Sequence, residues 1–253
     1  MRLYHETALR RQADEPTIKM LNLWHSLCKE KIGIPIEVMI GNRREHPQLK
    51  STVGEVYTAF PVIIEGKIVL SLWLDSLSNV NSIIVTHEIG HWVLKLKGFR
   101  GMIYQPEKHC DIEILLNSMA HHPPLYALQR SLGHEPQIEI DSRADHDIKI
   151  FSKERETSKK QFRVKNALLL ADDFLNCSSE KRMQLEEIVK RRHLNTARYL
   201  WKILSIASHY NLLNPKQNLR FSRKVIRKLK LGDEWYVADE LEELIKMAKK
   251  TIK

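Results

Sequence analysis

The sequence lacks paired cysteines, long apolar runs and an apolar leader. Its three cysteines, Cys28, Cys110 and Cys177, are far apart and form no Cys-x-x-Cys pair. This excludes a disulfide framework and indicates a reducing compartment. No run of about 18 apolar residues occurs, so we expect no transmembrane helix. Residues 1–17 are polar and charged, unlike a secretory signal. These absences predict a soluble, cytoplasmic protein.

Glycine and proline are also scarce, at nine residues each among 253. Their scarcity excludes collagen-like and linker-like chains, and the length predicts one large domain or two small ones. Residues 1–140 carry 15 basic and 15 acidic side chains, whereas residues 141–253 carry 26 and 16. Residues 181–230 alone carry 14 basic and two acidic side chains. The uneven charge indicates two regions with different partners.

The first half of the chain alternates between helical and strand periodicity. Helical spacing predicts helices at 16–31, 79–97, 106–121 and 125–132, with Pro123-Pro124 closing the third. Runs of β-branched and aromatic residues predict strands at 34–40, 55–64 and 67–74. We expect a hairpin turn at Glu65-Gly66, and Pro61 favours an edge strand or a bulge.

Strand signals stop near residue 141. The polar stretch 141–161 predicts a boundary, and helical spacing follows at 162–176, 179–210, 219–230 and 235–252. We therefore predict an α+β fold. Residues 1–145 form a domain with a small mixed sheet and an active-site helix, and residues 146–253 form a basic, all-helical C-terminal domain.

One motif carries chemistry: HEIGH at residues 87–91, an HExxH. On a helix, His87 and His91 are one turn apart on one face, where two imidazoles can bind one Zn²⁺. Glu88 beside them can take a proton from water that the zinc activates. Apart from Glu88, no charge falls between Asp75 and Lys95, which predicts a buried helix. The alternative is a helix with two satisfied core histidines.

This pattern resembles the zincin metallopeptidases, in which a mixed sheet precedes the motif helix. HEIGH followed by EILLN at residues 113–117 resembles, more closely, the ImmA/IrrE-type cytoplasmic metallopeptidases, over residues 15–125. Those have HELGH and then a helix with Glu-x-x-Ala-Asn. The SprT-like proteases, which are intracellular and associated with nucleic acids, are a second similar group. The resemblance implies a zincin-like first domain.

A catalytic zinc normally has three protein ligands and one open position. No histidine closely follows His91, so we expect the third ligand on the helix at 106–121. Glu113 and Asp111 border the core stripe of that helix, and His109 lies near it. In gluzincins the third ligand is a Glu on the helix after the motif helix, so the resemblance implies Glu113.

Other polar residues near this helix have two interpretations each. His121 and His122 are candidates for a zinc ligand or an oxyanion donor, or they form a polar helix end. Asn117, one turn after Glu113, either orients that carboxylate or is a polar flank. Cys110 is either a thiolate that binds zinc or a small buried hydrophobe.

The basic region 181–230 is a candidate nucleic-acid interface. Arg223, Arg227 and Lys230 fall on one helical face, which can lie along phosphates. The alternative is a basic helical face that is exposed to water and binds no nucleic acid. Acidic side chains that follow it can pair with this face internally and weaken the case: Glu234, Asp239, Glu240, Glu242 and Glu243.

We therefore predict a zinc-dependent intracellular metalloendopeptidase of gluzincin type. It hydrolyses a peptide bond in a protein or peptide substrate, with zinc on His87, His91 and Glu113 and with Glu88 as general base. The alternative is a nucleic-acid-binding or regulatory protein with a zincin fold and little or no proteolysis. Glu88 favours the enzyme, because a structural zinc site does not need a base.

Overall fold

The computed structural model describes residues 3–42, 45, 58–74, 81–105 and 110–251, apart from the side chains of Thr58 and Cys110. The elements are, in chain order, β1 (Leu3–Tyr4), α1 (Glu6–Arg10), α2 (Glu15–Ile32), β2 (Glu37–Asn42), β3 (Thr58–Ile64), β4 (Lys67–Leu74), α3 (Ser82–Leu96), β5 (Met102–Tyr104), α4 (Cys110–Leu132), α5 (Gln137–Lys153), α6 (Lys160–Asn176), α7 (Ser179–Arg192), α8 (Leu194–Ala207), α9 (Pro215–Leu229), β6 (Trp235–Val237) and α10 (Glu240–Thr251). The protein is mostly helical with a small mixed sheet, so the predicted α+β class is confirmed. No helix of the described chain is both long and apolar enough to span a membrane.

The main sheet has the strand order β1-β2-β4-β3. Strands β2 and β4 are parallel, and the other pairs are antiparallel. Pro61 lies in β3, an edge strand, as its missing N–H predicts. Glu65 and Gly66 both have positive φ, 50° and 74°, as in the tight turns that join twisted hairpin strands. The predicted hairpin is therefore confirmed for residues 58–74, and residues 55–57 lie outside the described residues.

The first of two compact units comprises the described residues within Met1–Gly98, Leu128–His134 and Asp239–Lys253. Helices α2 and α3 pack on each other in this unit. Asp14 caps the start of α2 by accepting from the Thr17 N–H, and Gly33 ends the helix with φ of 92°. Trp24 of α2 is fully buried and donates from Nε1 to the Ile36 carbonyl at 2.7 Å.

The second unit comprises the described residues within Phe99–Ala127 and Glu135–Ala238. Its core is one cluster of buried side chains from β5 and from helices α4 to α9, and it includes Phe151, Phe174 and Phe221. Strands β5 and β6 pair in antiparallel fashion beside it. The units interleave along the chain, and the predicted domains 1–145 and 146–253 stay a prediction.

The predicted helix end at Pro123-Pro124 is wrong, because α4 continues through both prolines. A proline inside a helix leaves the carbonyl four residues earlier without its N–H donor. For Pro124 that carbonyl belongs to Ala120, and the buried Asn218 of α9 donates to it at 2.6 Å. A distant side chain thus supplies the missing hydrogen bond.

Three predictions in the second half are also corrected. The polar stretch 141–161, for which no helix was predicted, contains most of α5, whose Ile140, Ala144 and Phe151 are buried on one face. The helix predicted at 179–210 is interrupted at His193, which leaves helical geometry and bonds through Nε2 to the Phe151 carbonyl at 2.8 Å. The all-helical prediction fails at β6, because the backbone of Tyr236 and its neighbours pairs with β5.

Candidate metal centre

Helix α3 carries the HEIGH motif and is fixed at both ends of its first turn. Asn81 caps it by accepting from the N–H groups of Ile83 and Ile84 at 3.0 and 3.3 Å. In the same unit, Gln129 donates to the Ile83 carbonyl and to the Thr86 hydroxyl, both at 2.9 Å. The start of the motif helix is therefore held by side chains that precede and follow it.

His87 and His91 lie one turn apart, both half-buried. Their Nε2 atoms are 3.2 Å apart, and their rings stand at 82° with centroids 4.8 Å apart. Two unprotonated imidazole nitrogens at this separation direct their lone pairs at one another, so the pair is stable only with a proton or a cation between them. Imidazole nitrogens are ligands that Zn²⁺ prefers. The donor set therefore fits a zinc ion.

Glu88 lies between the histidines in sequence and has a carboxyl group held against the edge of the sheet. Burial raises the pKa of Glu88 to about 8, although the Ala59 N–H and the charge of Lys95 act in the opposite direction. Trp92 donates from Nε1 to the Ala59 carbonyl at 2.8 Å. Both backbone polar groups of Ala59 in β3 are thus engaged by α3, which fixes the carboxyl group of a candidate base.

His122 of α4 is buried and has a strong partner. Its Nδ1 lies 2.6 Å from Asp172 Oδ2, and Arg143 approaches the same carboxylate to 3.3 Å. A carboxylate on Nδ1 orients the ring and favours the tautomer that carries its proton on Nδ1. Within the second unit, the Asp172 carboxylate thus holds the ring of His122 in one orientation.

Glu113 and Asn117 both contact the backbone of β5. Glu113 Oε2 accepts from the Tyr104 N–H at 2.9 Å. Asn117 accepts from the Met102 N–H at 2.8 Å and donates to its carbonyl at 3.0 Å. The two side chains thus hydrogen-bond to the backbone of β5 at Met102 and Tyr104, as the backbone of a neighbouring strand would. The role of Glu113 as third ligand and that of Asn117 as its orienting residue stay predictions.

The remaining candidates have varied surroundings. Asp111 is exposed and pairs with Lys165 at 2.5 Å. His121 is buried, with Nε2 3.3 Å from the Arg100 carbonyl and its ring edge-on to Phe99. His109 and the side chain of Cys110 lie outside the described residues.

Sequence reasoning missed Asp172 and Arg143. A signal was available: Asp172 and Asp173 follow the apolar run 167–171, and charges in such a run require buried partners. Arg143 Nε binds Asp173 at 3.1 Å, and Arg143 Nη1 binds the Tyr126 hydroxyl at 3.1 Å. Which histidine faces this network is a matter of the fold, so the sequence alone does not identify it.

No family model, curated protein or solved structure matches the chain.

Proposed function

We propose that the protein is a zinc-dependent cytoplasmic metallopeptidase that hydrolyses a peptide bond in a protein substrate. The observation that carries the proposal is the pair of facing Nε2 atoms of His87 and His91, 3.2 Å apart, with Glu88 on the same helix. The HEIGH and EILLN motifs support membership of the zincins, on the side of the ImmA/IrrE-type enzymes. The buried thiols of Cys28 and Cys177, which form no disulfide, support a reducing compartment.

Zinc at this pair would polarise the substrate carbonyl and acidify water. Glu88 is the general base: its carboxyl group, whose pKa burial raises to about 8, takes a proton from the attacking water and returns it to the leaving amine. The Ala59 N–H holds the carboxyl group in place during both transfers. A carboxyl group held in one position beside the histidine pair is suited to accepting and then giving one proton.

For the third ligand we propose Glu113, as the resemblance implies, with His122 as the alternative. His122 Nδ1 contacts the Asp172 carboxylate at 2.6 Å, and such carboxylates commonly orient the histidine ligands of metal ions. Glu113 has a backbone partner at Tyr104 that it would give up or share.

Elemental analysis of the purified full chain tests the metal site. We expect near one zinc per chain, lost with His87→Ala and retained with His209→Ala, which changes an exposed histidine. Loss with Glu113→Ala and retention with His122→Ala supports Glu113 as the third ligand, and the reverse result moves it to His122. No zinc after supplementation would overturn the proposal.

A second arm tests catalysis separately. We expect zinc-dependent cleavage of a denatured protein or a peptide library by the wild type, and a fall of about 10²–10⁴-fold with Glu88→Gln at unchanged zinc content. The Gln side chain keeps an acceptor for the Ala59 N–H, so the fold is preserved. Zinc binding without cleavage in the wild type would instead support a regulatory protein.

A further inference from the structure

Two cavities of the second unit share Lys230 and Trp235 in their linings. One has a volume of about 570 Å³ and the other about 590 Å³. Both volumes fall within the range of ligand-binding clefts. The shared residues make them neighbours, so one extended ligand can occupy both.

Cationic side chains line both cavities. Lys159 and Lys160 line the first, and Arg223 and Arg227 line the second, with Lys230 common to both. All five are exposed, and within the described part of the chain none has a carboxylate at ion-pair distance. Their charges therefore act on whatever enters from solvent.

The acidic residues expected to neutralise this face are largely engaged elsewhere. Glu234 accepts from the Tyr104 hydroxyl at 3.0 Å, and Glu242 pairs with Lys246 at 3.0 Å. Glu240 pairs with Lys95 at 2.7 Å in the first unit. Asp233 lines the second cavity, so the five cations face one carboxylate in these linings.

Two aromatic residues of β6 accompany the cations. Trp235 donates from Nε1 to the Leu231 carbonyl at 3.2 Å, and its ring centroid lies 5.1 Å from that of Tyr104. Its orientation is thus fixed between the two cavities. Tyr236, the next residue, is 43% exposed and lines the second cavity. Fixed aromatic rings among cations are the combination with which proteins bind single strands, because bases stack on the rings while phosphates meet the cations.

We propose that these two cavities bind single-stranded nucleic acid. Phosphates meet Arg223, Arg227 and Lys230, and bases stack on Trp235 and Tyr236. A duplex fits less well, because its bases are stacked inside and do not reach recessed rings. A membrane surface fits less well too, since the aromatic residues line concavities that a flat bilayer does not enter. This site is independent of the metal centre.

Fluorescence anisotropy with the full chain and labelled oligothymidine or oligouridine of about 16 nucleotides tests the proposal. We expect Arg223→Gln/Arg227→Gln to weaken binding at least tenfold. The slope of log K against log salt between about 50 and 200 mM should fall in magnitude by about 1.4, because each lost contact to a single strand removes about 0.7. The matched control Arg192→Gln/Arg198→Gln removes the same charge from exposed positions of the same unit that neither cavity includes, and should change binding less than about twofold.

Tyr236→Ala separates stacking from charge. It should weaken binding about five- to a hundredfold without changing the salt slope, because a stacked base contributes through its ring and not through a phosphate. Equal losses in both double variants would overturn the proposal, since they would mean unspecific attraction. Tighter binding of a duplex of equal length, or binding to phosphatidylserine vesicles without binding to the oligonucleotides, would overturn it too. Circular dichroism and thermal unfolding of each variant establish that the fold is intact.

Discussion

Helices α3 and α4 both carry polar side chains on half-buried faces, but they place them differently. In α4, Glu113 and Asn117 contact the backbone of β5, and His122 contacts Asp172. In α3, the two imidazoles of His87 and His91 face one another. Polar side chains of α4 thus stabilise the fold, because their partners are backbone groups and a buried carboxylate. In α3 the two imidazoles converge on each other, and we propose that they bind a metal ion there.

The largest effect is expected where α4 meets the buried charges of the second unit. Asp172→Ala removes the acceptor of His122, Arg143 and Asn176. Burial raises the pKa of Asp173, so that neighbour is a weak substitute for the lost charge. We expect a loss of about 3–5 kcal/mol in the free energy of unfolding, because the buried His122 and the half-buried Arg143 both lose this carboxylate. Urea denaturation in the presence of a chelator measures it.

Asp145→Ala is the control for that variant. Asp145 also forms an ion pair, with Lys181 at 2.7 Å, but its side chain is 52% exposed. Exposed pairs contribute about 0–1 kcal/mol. Similar losses of unfolding free energy in the two variants would show that the buried network stabilises the protein no more than an exposed ion pair does. The contrast between α3 and α4 would then fail for α4.

A buried carboxylate of the first unit gives the next effect. Glu6 is 5% exposed and accepts from Arg10 at 2.6 Å, from the Val38 N–H at 3.1 Å and from His25 at 2.8 Å. Burial acts to raise the pKa of Glu6, but the hydrogen bonds from His25, Val38 and Arg10 outweigh it, so the pKa lies below the usual 4.5. We expect Glu6→Gln to lower the unfolding free energy by about 2–3 kcal/mol at neutral pH.

The pH dependence of that effect follows from the direction of the shift. A carboxyl group with a lowered pKa in the folded state binds protons less readily there than in the unfolded chain, so its stabilisation is complete above pH 4.5 and disappears as pH falls through the folded pKa. The difference between wild type and Glu6→Gln should therefore shrink on acidification below pH 4.5. A difference that grows with acid would contradict the assignment. Urea titrations at several pH values check it.

Asn117 tests whether α4 organises β5. Asn117→Ala removes two hydrogen bonds to Met102, and we expect a loss of about 1–2 kcal/mol in unfolding free energy. Amide exchange at Met102 should accelerate, because its N–H loses its acceptor. Zinc content should stay unchanged. Loss of zinc with unchanged amide exchange at Met102 would show that Asn117 supports the metal centre and does not hold strand β5.

The smallest effect on stability is expected in α3. His87→Ala and His91→Ala should change the unfolding free energy of the metal-free protein by less than about 1 kcal/mol, because the side chains are half-buried and Ala favours the helix. Adding zinc should stabilise the wild type and leave both variants unchanged. Differential scanning calorimetry with and without zinc measures both. A large loss without zinc would make these histidines structural.

Local signals predicted much of this fold. Asp14 and Gly33 cap α2 near where the sequence places its ends, and Glu65-Gly66 joins β3 to β4. These features depend on neighbours in the chain, so a short window suffices. The continuation of α4 does not: Asn218, 98 positions away, supplies the hydrogen bond that Pro124 removes. Rules on proline alone therefore end the helix too early.

The candidate site likewise has a part that local sequence signals predict and a part that they do not. The pairing of His87 with His91 follows from helical spacing, and the side chains lie as predicted, on one face. The partners of His122 do not follow from any local rule, because Asp172 lies 50 residues away. Strand β6 has only three residues, so its alternating pattern is too short to be recognised beside the helical spacing around it. Non-local contacts thus account for most of what the sequence alone misses.

Helix α10 belongs to the first unit, where it packs on β4 and α2, and Glu240 pairs with Lys95. During synthesis, residues 1–98 leave the ribosome before any of α10 exists. At about 5–20 residues per second, the interval to residue 239 is roughly 7–30 s. During this interval the nascent first unit exposes the apolar surface that α10 later covers. Chaperones bind exposed apolar surfaces of this kind. A stalled ribosome would leave the motif helix in an incomplete domain.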